Sequence, residues 1–448
     1  MSNTKELLDL ERKYVWPPYT QAAVYFSTPH PVIERAEGVF LYDSEGKRYY
    51  DMIASWWVNL HGHNHPVLNK ALIDQVGKVA HCAMASQTHE PAVRLAAELV
   101  DMMPAGMTRV FYSDDGSTAV EVAMKMAFQY FQNLGETKRT RFAAFTNAYH
   151  GDTLGTVAVG GVELFHEVFR PTLFPVVRVP APACRAVPYG ESEADCGPVC
   201  FEDMKAALLP HVDELCAVLI EPLVQGATGM AMYSPHVLDE LRAFCDEHGI
   251  LIIDDEVAMG FGRTGKTWAF EHSGMVPDIV CAAKGLTGGY LPLAVTIASE
   301  KIYEAFLGEA GDTRTFYHGH SFTGNPLGTA ISRASMQLFR DERLPELPAK
   351  TRALGRILDE YRSAPWARDV RQWGMVGAFD LSHPDGTALD PSLGTGRQVA
   401  SKALEHGIYL RPLGDTIYFM PPLSITEEEL ADLGSRLALA IEEVLKRA

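Results

Sequence analysis

The sequence has no apolar run near the roughly eighteen residues a membrane-crossing helix needs, so no helical span is expected. A basic excess is also missing. Lys and Arg number 39 against 57 Asp and Glu, a formal charge of −18, and no basic stripe stands out, so a nucleic-acid partner is not expected. The opening stretch MSNTKELLDLERKYVW lacks the apolar core of a signal peptide, and the expected location is cytoplasmic. Cysteine is scarce, with seven residues in an odd, scattered set, which argues for reduced thiols rather than a disulfide framework. Cys184, Cys196 and Cys200 share the stretch APACRAVPYGESEADCGPVC, but CxxC spacing is absent and a surface insertion is expected there rather than zinc. No repeat or low-complexity tract stands out. What is present is ordinary globular material: 448 residues, 47% hydrophobic and 21% charged, enough for two or three lobes.

The middle of the chain alternates short apolar runs with amphipathic stretches. Strands are expected at Arg109–Ser113, Phe142–Thr146, Ala217–Glu221, Ile250–Asp255, Asp278–Ala283 and Leu293–Ser299, with helices such as Thr118–Leu134 and Pro235–His248 between them. The runs are nearly all apolar rather than alternating, as strands buried on both faces should be. The pattern predicts an α/β fold, a mostly parallel sheet between helices. The expected division is residues 1–65 as the first part of a small lobe, 66–334 as a large domain, and 335–448 as the rest of the small α+β lobe. The first part carries a hairpin-like GVFLYDSEGKRYYDM, and the last ends in an amphipathic helix, Thr426–Lys446.

Ligands of such sheets sit at the carboxyl ends of the strands. In RVFYSDDGSTAVEVAMKMA a strand runs through a tight turn into a helix, and the Thr118–Glu121 spacing is that of a capping box. The N–H groups of Gly116 and Ser117 could bind a phosphate there, or the segment could be a plain strand-to-helix turn. ILIIDDEVAMGFGRTG ends a buried strand in three acids. Asp255 could face a protonated heterocyclic nitrogen or cap a nearby loop. DIVCAAKGLTGGYLP places Lys284 at the end of another apolar strand. Desolvation would make its amine nucleophilic toward aldehydes, unless it snorkels to the rim. A phosphate turn, a buried acid and a strand-end lysine match the three handles of pyridoxal phosphate. TNAYHGDT offers Tyr149 and His150; Tyr149 could cover the ring or serve as a core aromatic.

These residues lie in motifs that resemble class III aminotransferases of the fold-type-I pyridoxal-phosphate superfamily, along nearly the whole chain. The motifs are AYHG at 148–151, IEPLVQG at 220–226, DDEVAMGFGRTG at 254–265, AAKGLTGG at 282–289 and HGHSFTGNPLG at 318–328. The resemblance implies Lys284, Asp255 and Tyr149 as catalytic groups. It implies Gly116 and Ser117 at the phosphate, and a homodimer in which the partner's Ser321 joins them. Within the class, WPPYTQ at 16–21, SWWVNLHGHNHP at 55–66 and RPLGDTIYFMPP at 411–422 are similar to the branch that converts 8-amino-7-oxononanoate to 7,8-diaminononanoate in biotin biosynthesis. That similarity implies Tyr19, Trp56, Trp57 and Gly319 along the substrate, Arg411 at its carboxylate and Tyr418 near the amine donor, either S-adenosylmethionine or lysine. The alternative is another class III transaminase of ω-amines.

Three positions depart from the pattern. Pro17 stands where the branch usually has histidine, Asp115 where the phosphate turn usually has serine, and Ser321 where threonine is commoner. Asp115 would bring a negative charge near a phosphate, and its side chain is expected to point away. HGHNH at 61–65 is expected to be structural or at an interface, with no metal.

Overall fold

The computed structural model describes residues 4–182, 199–309 and 311–446. Residues 66–351 with 371–376 form the larger of two units, and 1–65, 352–370 and 377–448 form the other.

In the larger unit, seven strands make one sheet: β1 (Met107–Ser113), β2 (Arg141–Phe145), β3 (Val177–Val179), β4 (Leu215–Ile220), β5 (Leu251–Asp255), β6 (Ile279–Ala282) and β7 (Ala294–Ser299), in the order β1-β7-β6-β5-β4-β2-β3. β2 pairs in parallel with β3 and β4, and β5 with β4 and β6; β7 runs antiparallel to both β6 and β1. One reversed strand therefore leaves the carboxyl ends of the other six on the same edge. All residues of β4, β5 and β6 are buried, which explains why their sequences do not alternate. Each such Val, Leu or Ile contributes about 1.5–3 kcal/mol relative to exposure. Helix α1 (Gly116–Asn133) lays Ala119, Val120, Ala123 and Ala127 into the same core as Ile253, Ile279 and Cys281, its alanines allowing close approach.

The six anticipated strands are all present. β3 was not anticipated, because VRV is too short to carry a pattern. The start of α1 requires a correction. The Thr118–Glu121 pair is not the cap; Asp115 is the N-cap, its carboxylate accepting the Thr118 N–H at 2.9 Å while the Thr118 hydroxyl accepts the Asp115 N–H at 3.1 Å. Glu121 instead holds the Thr153 hydroxyl and the Gly155 N–H. Asp and Thr form a reciprocal cap as well as Ser and Glu do, so the helix begins two residues earlier.

In the other unit, Ile33–Glu37, Phe40–Asp43 and Arg48–Asp51 form an antiparallel set, and Ile408–Tyr409 joins it alongside Arg48–Asp51 in parallel. Val376–Leu381 pairs antiparallel with Thr416–Phe419. The final helix, Glu427–Leu445, opens on a capping box between Thr426 and Glu429 and buries Leu430, Leu433, Leu437 and Ile441. Cys184, Cys196 and the side chain of Cys200 lie outside the described residues. Among the described residues no helix is long and apolar enough to cross a membrane, and no group of three or more His, Cys, Asp or Glu could hold a metal.

Candidate active site

Five loops leave the carboxyl edge of the large sheet carrying polar groups. After β6 comes Lys284, half-buried, with φ of 43°, a left-handed conformation that costs a side-chain-bearing residue about 1–3 kcal/mol. Desolvation pulls its ammonium down to about 8, against the opposing charges of Asp255 and Glu221, and the Arg263 guanidinium adds to the lowering. β5 ends in Asp255, 5% exposed. One carboxylate oxygen accepts from His150 Nδ1 at 2.7 Å and the other from the Val257 N–H at 3.1 Å. His150 is itself buried, and its Nε2 has no hydrogen-bond partner among the described residues. Both oxygens of Asp255 are therefore oriented before any ligand arrives.

The loop after β2 supplies Tyr149, whose hydroxyl donates to Asp152 at 2.8 Å and whose ring stacks with His166 at 6.5 Å between centroids. That loop comes up against the first turn of α1. Gly151 has φ of 127°, and a Cβ there would overlap the Ser117 hydroxyl and lie 2.8 Å from Ser117 Cα. On the other side, a Cβ on Gly116 would lie 2.6 Å from Val257 Cγ1. Asp115, expected to point away from this turn, instead caps it: its carboxylate sits on the Thr118 N–H and offsets part of the positive end of an eighteen-residue helix, leaving the Gly116 and Ser117 N–H groups as the other donors of the first turn. These features fit the pyridoxal phosphate expected from the sequence: an anion site, a carboxylate held for a ring nitrogen, and a partly desolvated amine.

Three groups here were not singled out from the sequence. Glu221, buried after β4, accepts the backbone N–H of Tyr149 at 2.8 Å and of Gly226 at 3.0 Å. Burial pushes its carboxyl up to about 7. Asp254 and Glu256, beside Asp255, are wholly buried. Desolvation and mutual repulsion raise Asp254 well above the carboxylate range, and burial lifts Glu256 to about 8. The three-acid run was visible in the sequence, but not that its outer members favour their protonated forms.

In the smaller unit the aromatic residues expected near substrate form one cluster. Trp57 is buried, its indole N–H donating to the Tyr418 hydroxyl at 3.0 Å. Trp56 is 39% exposed, edge-on to Tyr19 at 5.9 Å, with the Arg411 guanidinium 4.5 Å above its ring. Arg411 also donates to the Tyr19 carbonyl at 3.0 Å. The tryptophan segment is held unusually. Ala54, Ser55 and Trp57 have φ of 50°, 63° and 68°. Buried Asp51 fastens it, accepting the Ser55 N–H at 2.7 and 2.8 Å and His63 Nε2 at 2.8 Å. His63 of the HGHNH run thus serves the segment, with Asn59 on its other nitrogen at 3.2 Å.

Gly319 and Ser321 are exposed and lie outside these hydrogen-bond networks; the neighbouring His320 faces Asp114 at 3.4 Å.

Similar proteins agree with this chemistry. The sequence profile of aminotransferase class-III matches residues 22–441. The chain is 45% identical to the adenosylmethionine-8-amino-7-oxononanoate aminotransferase of Geobacter sulfurreducens, over 99% of this chain and 98% of that one. It is 35% identical to the Staphylococcus aureus protein of the same name, over the full length of both. Among solved structures, the Methanocaldococcus jannaschii aminotransferase of that name matches with a TM-score of 0.92 at 37% identity, covering 98% of this chain and 99% of that one. An amine transaminase from an uncultivated Pseudomonas species, solved with pyridoxal phosphate bound, matches with a TM-score of 0.89 at 31% identity over 96% and 98%. With a profile match across most of its length and full-length relatives at this identity, the chain belongs to the class-III aminotransferases.

Proposed function

We propose that this chain is a cytoplasmic, pyridoxal-phosphate-dependent enzyme that converts 8-amino-7-oxononanoate to 7,8-diaminononanoate in biotin biosynthesis, with S-adenosylmethionine as amine donor. Lysine is the alternative donor. The observation that carries transamination is Lys284, a strand-end amine lowered to about 8 and held in a left-handed conformation within the field of Asp255. The choice of keto acid is supported by the relatives that bear its name, and by the pairing of Arg411 with Trp56 and Tyr19, a cation against an aromatic wall. The fold shared with amine transaminases supports a second reading, transamination of other ω-amines.

When bound, pyridoxal phosphate supplies an aldehyde that takes up the donor's amino group and a protonated ring that draws electrons from the substrate carbon. The N–H groups of Gly116 and Ser117 would hold its phosphate, and in the homodimer we propose, the partner's Ser321 would add a hydroxyl. Asp255, fixed by His150 and Val257, would keep a proton on the ring nitrogen. Tyr149 would cover the ring. Lys284 Nζ would carry the aldehyde at rest and, once displaced, take and return the proton moved at the substrate carbon. Its lowered proton affinity leaves a useful fraction neutral near physiological pH. Arg411 would bind the keto acid's carboxylate, Tyr19, Trp56, Trp57 and Gly319 would line its chain, and Tyr418 would lie near the donor.

The test is the absorbance of the loaded protein as each donor is added without keto acid. S-adenosylmethionine should convert bound aldehyde cofactor to its amine form, and 8-amino-7-oxononanoate should restore it. Conversion by lysine alone changes the donor and keeps the pathway. Conversion only by simple ω-amines would replace the first reading with the second.

A further inference from the structure

Glu221 carries no role in the chemistry set out above, yet it is a buried acid at the centre of the carboxyl edge. It follows β4, is 6% exposed, and spends each oxygen on a different loop: one on the Tyr149 N–H at 2.8 Å, the other on the Gly226 N–H at 3.0 Å. The same two loops meet twice more. Gln225 Nε2 donates to the Thr146 carbonyl at 3.0 Å, and the Thr228 hydroxyl to the Asn147 carbonyl at 3.1 Å. Those two contacts are neutral; Glu221 is the acidic member of the seam. Both its partners are backbone N–H groups, which can only donate, so the site demands two acceptors. A carboxylate provides them, whereas an amide provides one oxygen and turns an N–H toward an N–H.

We infer that Glu221 is a positioning residue for the proposed reaction, its carboxylate clamping the Tyr149 loop to the 222–226 turn and setting a second negative charge, beside Asp255, in the field of Lys284. The inference rests on the transaminase reading above. The titratable groups that act on Glu221 are His150 from the loop after β2, Asp255 from β5 and, since a charge pair acts both ways, Lys284 after β6. Those that act on Lys284 are Asp255, Glu221 and Arg263. Burial pushes the Glu221 carboxyl up to about 7, so the clamp gains its charge near neutral pH, and that charge favours the protonated state at Lys284. Two effects follow, and two variants separate them. Glu221→Gln removes the charge and one acceptor. Glu221→Asp keeps the charge but is one methylene shorter, so it cannot span both loops.

The experiment uses the full chain loaded with pyridoxal phosphate and follows the absorbance of the bound cofactor against pH, which reports the proton held at Lys284 Nζ. Half-reaction rates with S-adenosylmethionine are measured alongside. For Glu221→Gln the midpoint of the absorbance change should move to lower pH, and the rate should fall by about tenfold or more, as for a misplaced reacting group. For Glu221→Asp the rate should fall similarly while the midpoint stays at the native value. A Glu221→Gln protein with native midpoint and native rate overturns the inference, as does a Glu221→Asp protein with a native rate. If Glu221→Gln does not fold, Glu221→Asp decides alone by the same criterion. Native protein that binds no pyridoxal phosphate would instead overturn the transaminase reading, and this inference with it.

Discussion

Lys284 and the acids around it show how burial assigns proton affinities residue by residue. Lys284 is lowered to about 8, whereas Glu256 is raised to about 8 and Glu221 to about 7. Each shift has burial as its leading cause, and burial always disfavours the charged form. For Glu256 the consequence is a stability slope. The folded protein keeps a proton that the unfolded chain releases, so stability is lost as pH rises from 4.5 to about 8. Glu256→Gln keeps an acceptor for the Phe270 N–H and has no charge to bury. Its melting temperature should fall less between pH 5 and pH 8 than that of the native protein. A native-like fall would show that Glu256 is not protonated in the fold. At this scale Lys284 and Asp255 were legible in the sequence, because an ionisable side chain at the end of an apolar strand demands a reason. Glu221 also ends an apolar strand but was not singled out, because its partners are backbone N–H groups, one in its own following turn and the other in the Tyr149 loop.

Between elements, one tight requirement falls at Gly151. A side chain there would press into the first turn of α1 and would also need φ of 127°. Gly151→Ala should destabilise the protein by on the order of 2 kcal/mol and weaken retention of pyridoxal phosphate, read as denaturant midpoint and as cofactor lost on dialysis. Unchanged retention would remove the phosphate site from the start of α1. In the smaller unit, Asp51 holds a segment with three left-handed side-chain-bearing residues. Asp51→Ala leaves the Ser55 N–H without that acceptor and should cost about 1–3 kcal/mol. It should also raise the KM for the keto acid, since Trp56 and Trp57 ride on this segment. An unaltered KM in a folded variant would separate the tryptophans from substrate binding. The buried strands were legible because their composition is uniform. β3 and the cap of α1 were not, one being too short and the other using an Asp–Thr pair in place of the commoner box.

Across the whole chain, every parallel strand delivers its carboxyl end to the same edge, and that edge collects Tyr149, His150, Glu221, Asp255 and Lys284 from four loops far apart in sequence. The ordered motifs anticipated this gathering. Within a single chain, however, Gly319 and Ser321 stay outside the networks, and the role proposed for Ser321 depends on a second copy. The central claim is that Lys284 alone carries the cofactor, and borohydride reduction of the loaded protein followed by peptide mass analysis tests it most directly. One pyridoxyl group on the peptide containing Lys284, absent when donor has first converted the cofactor, is the predicted result. A label on another lysine, or no covalent label at all, would contradict the account.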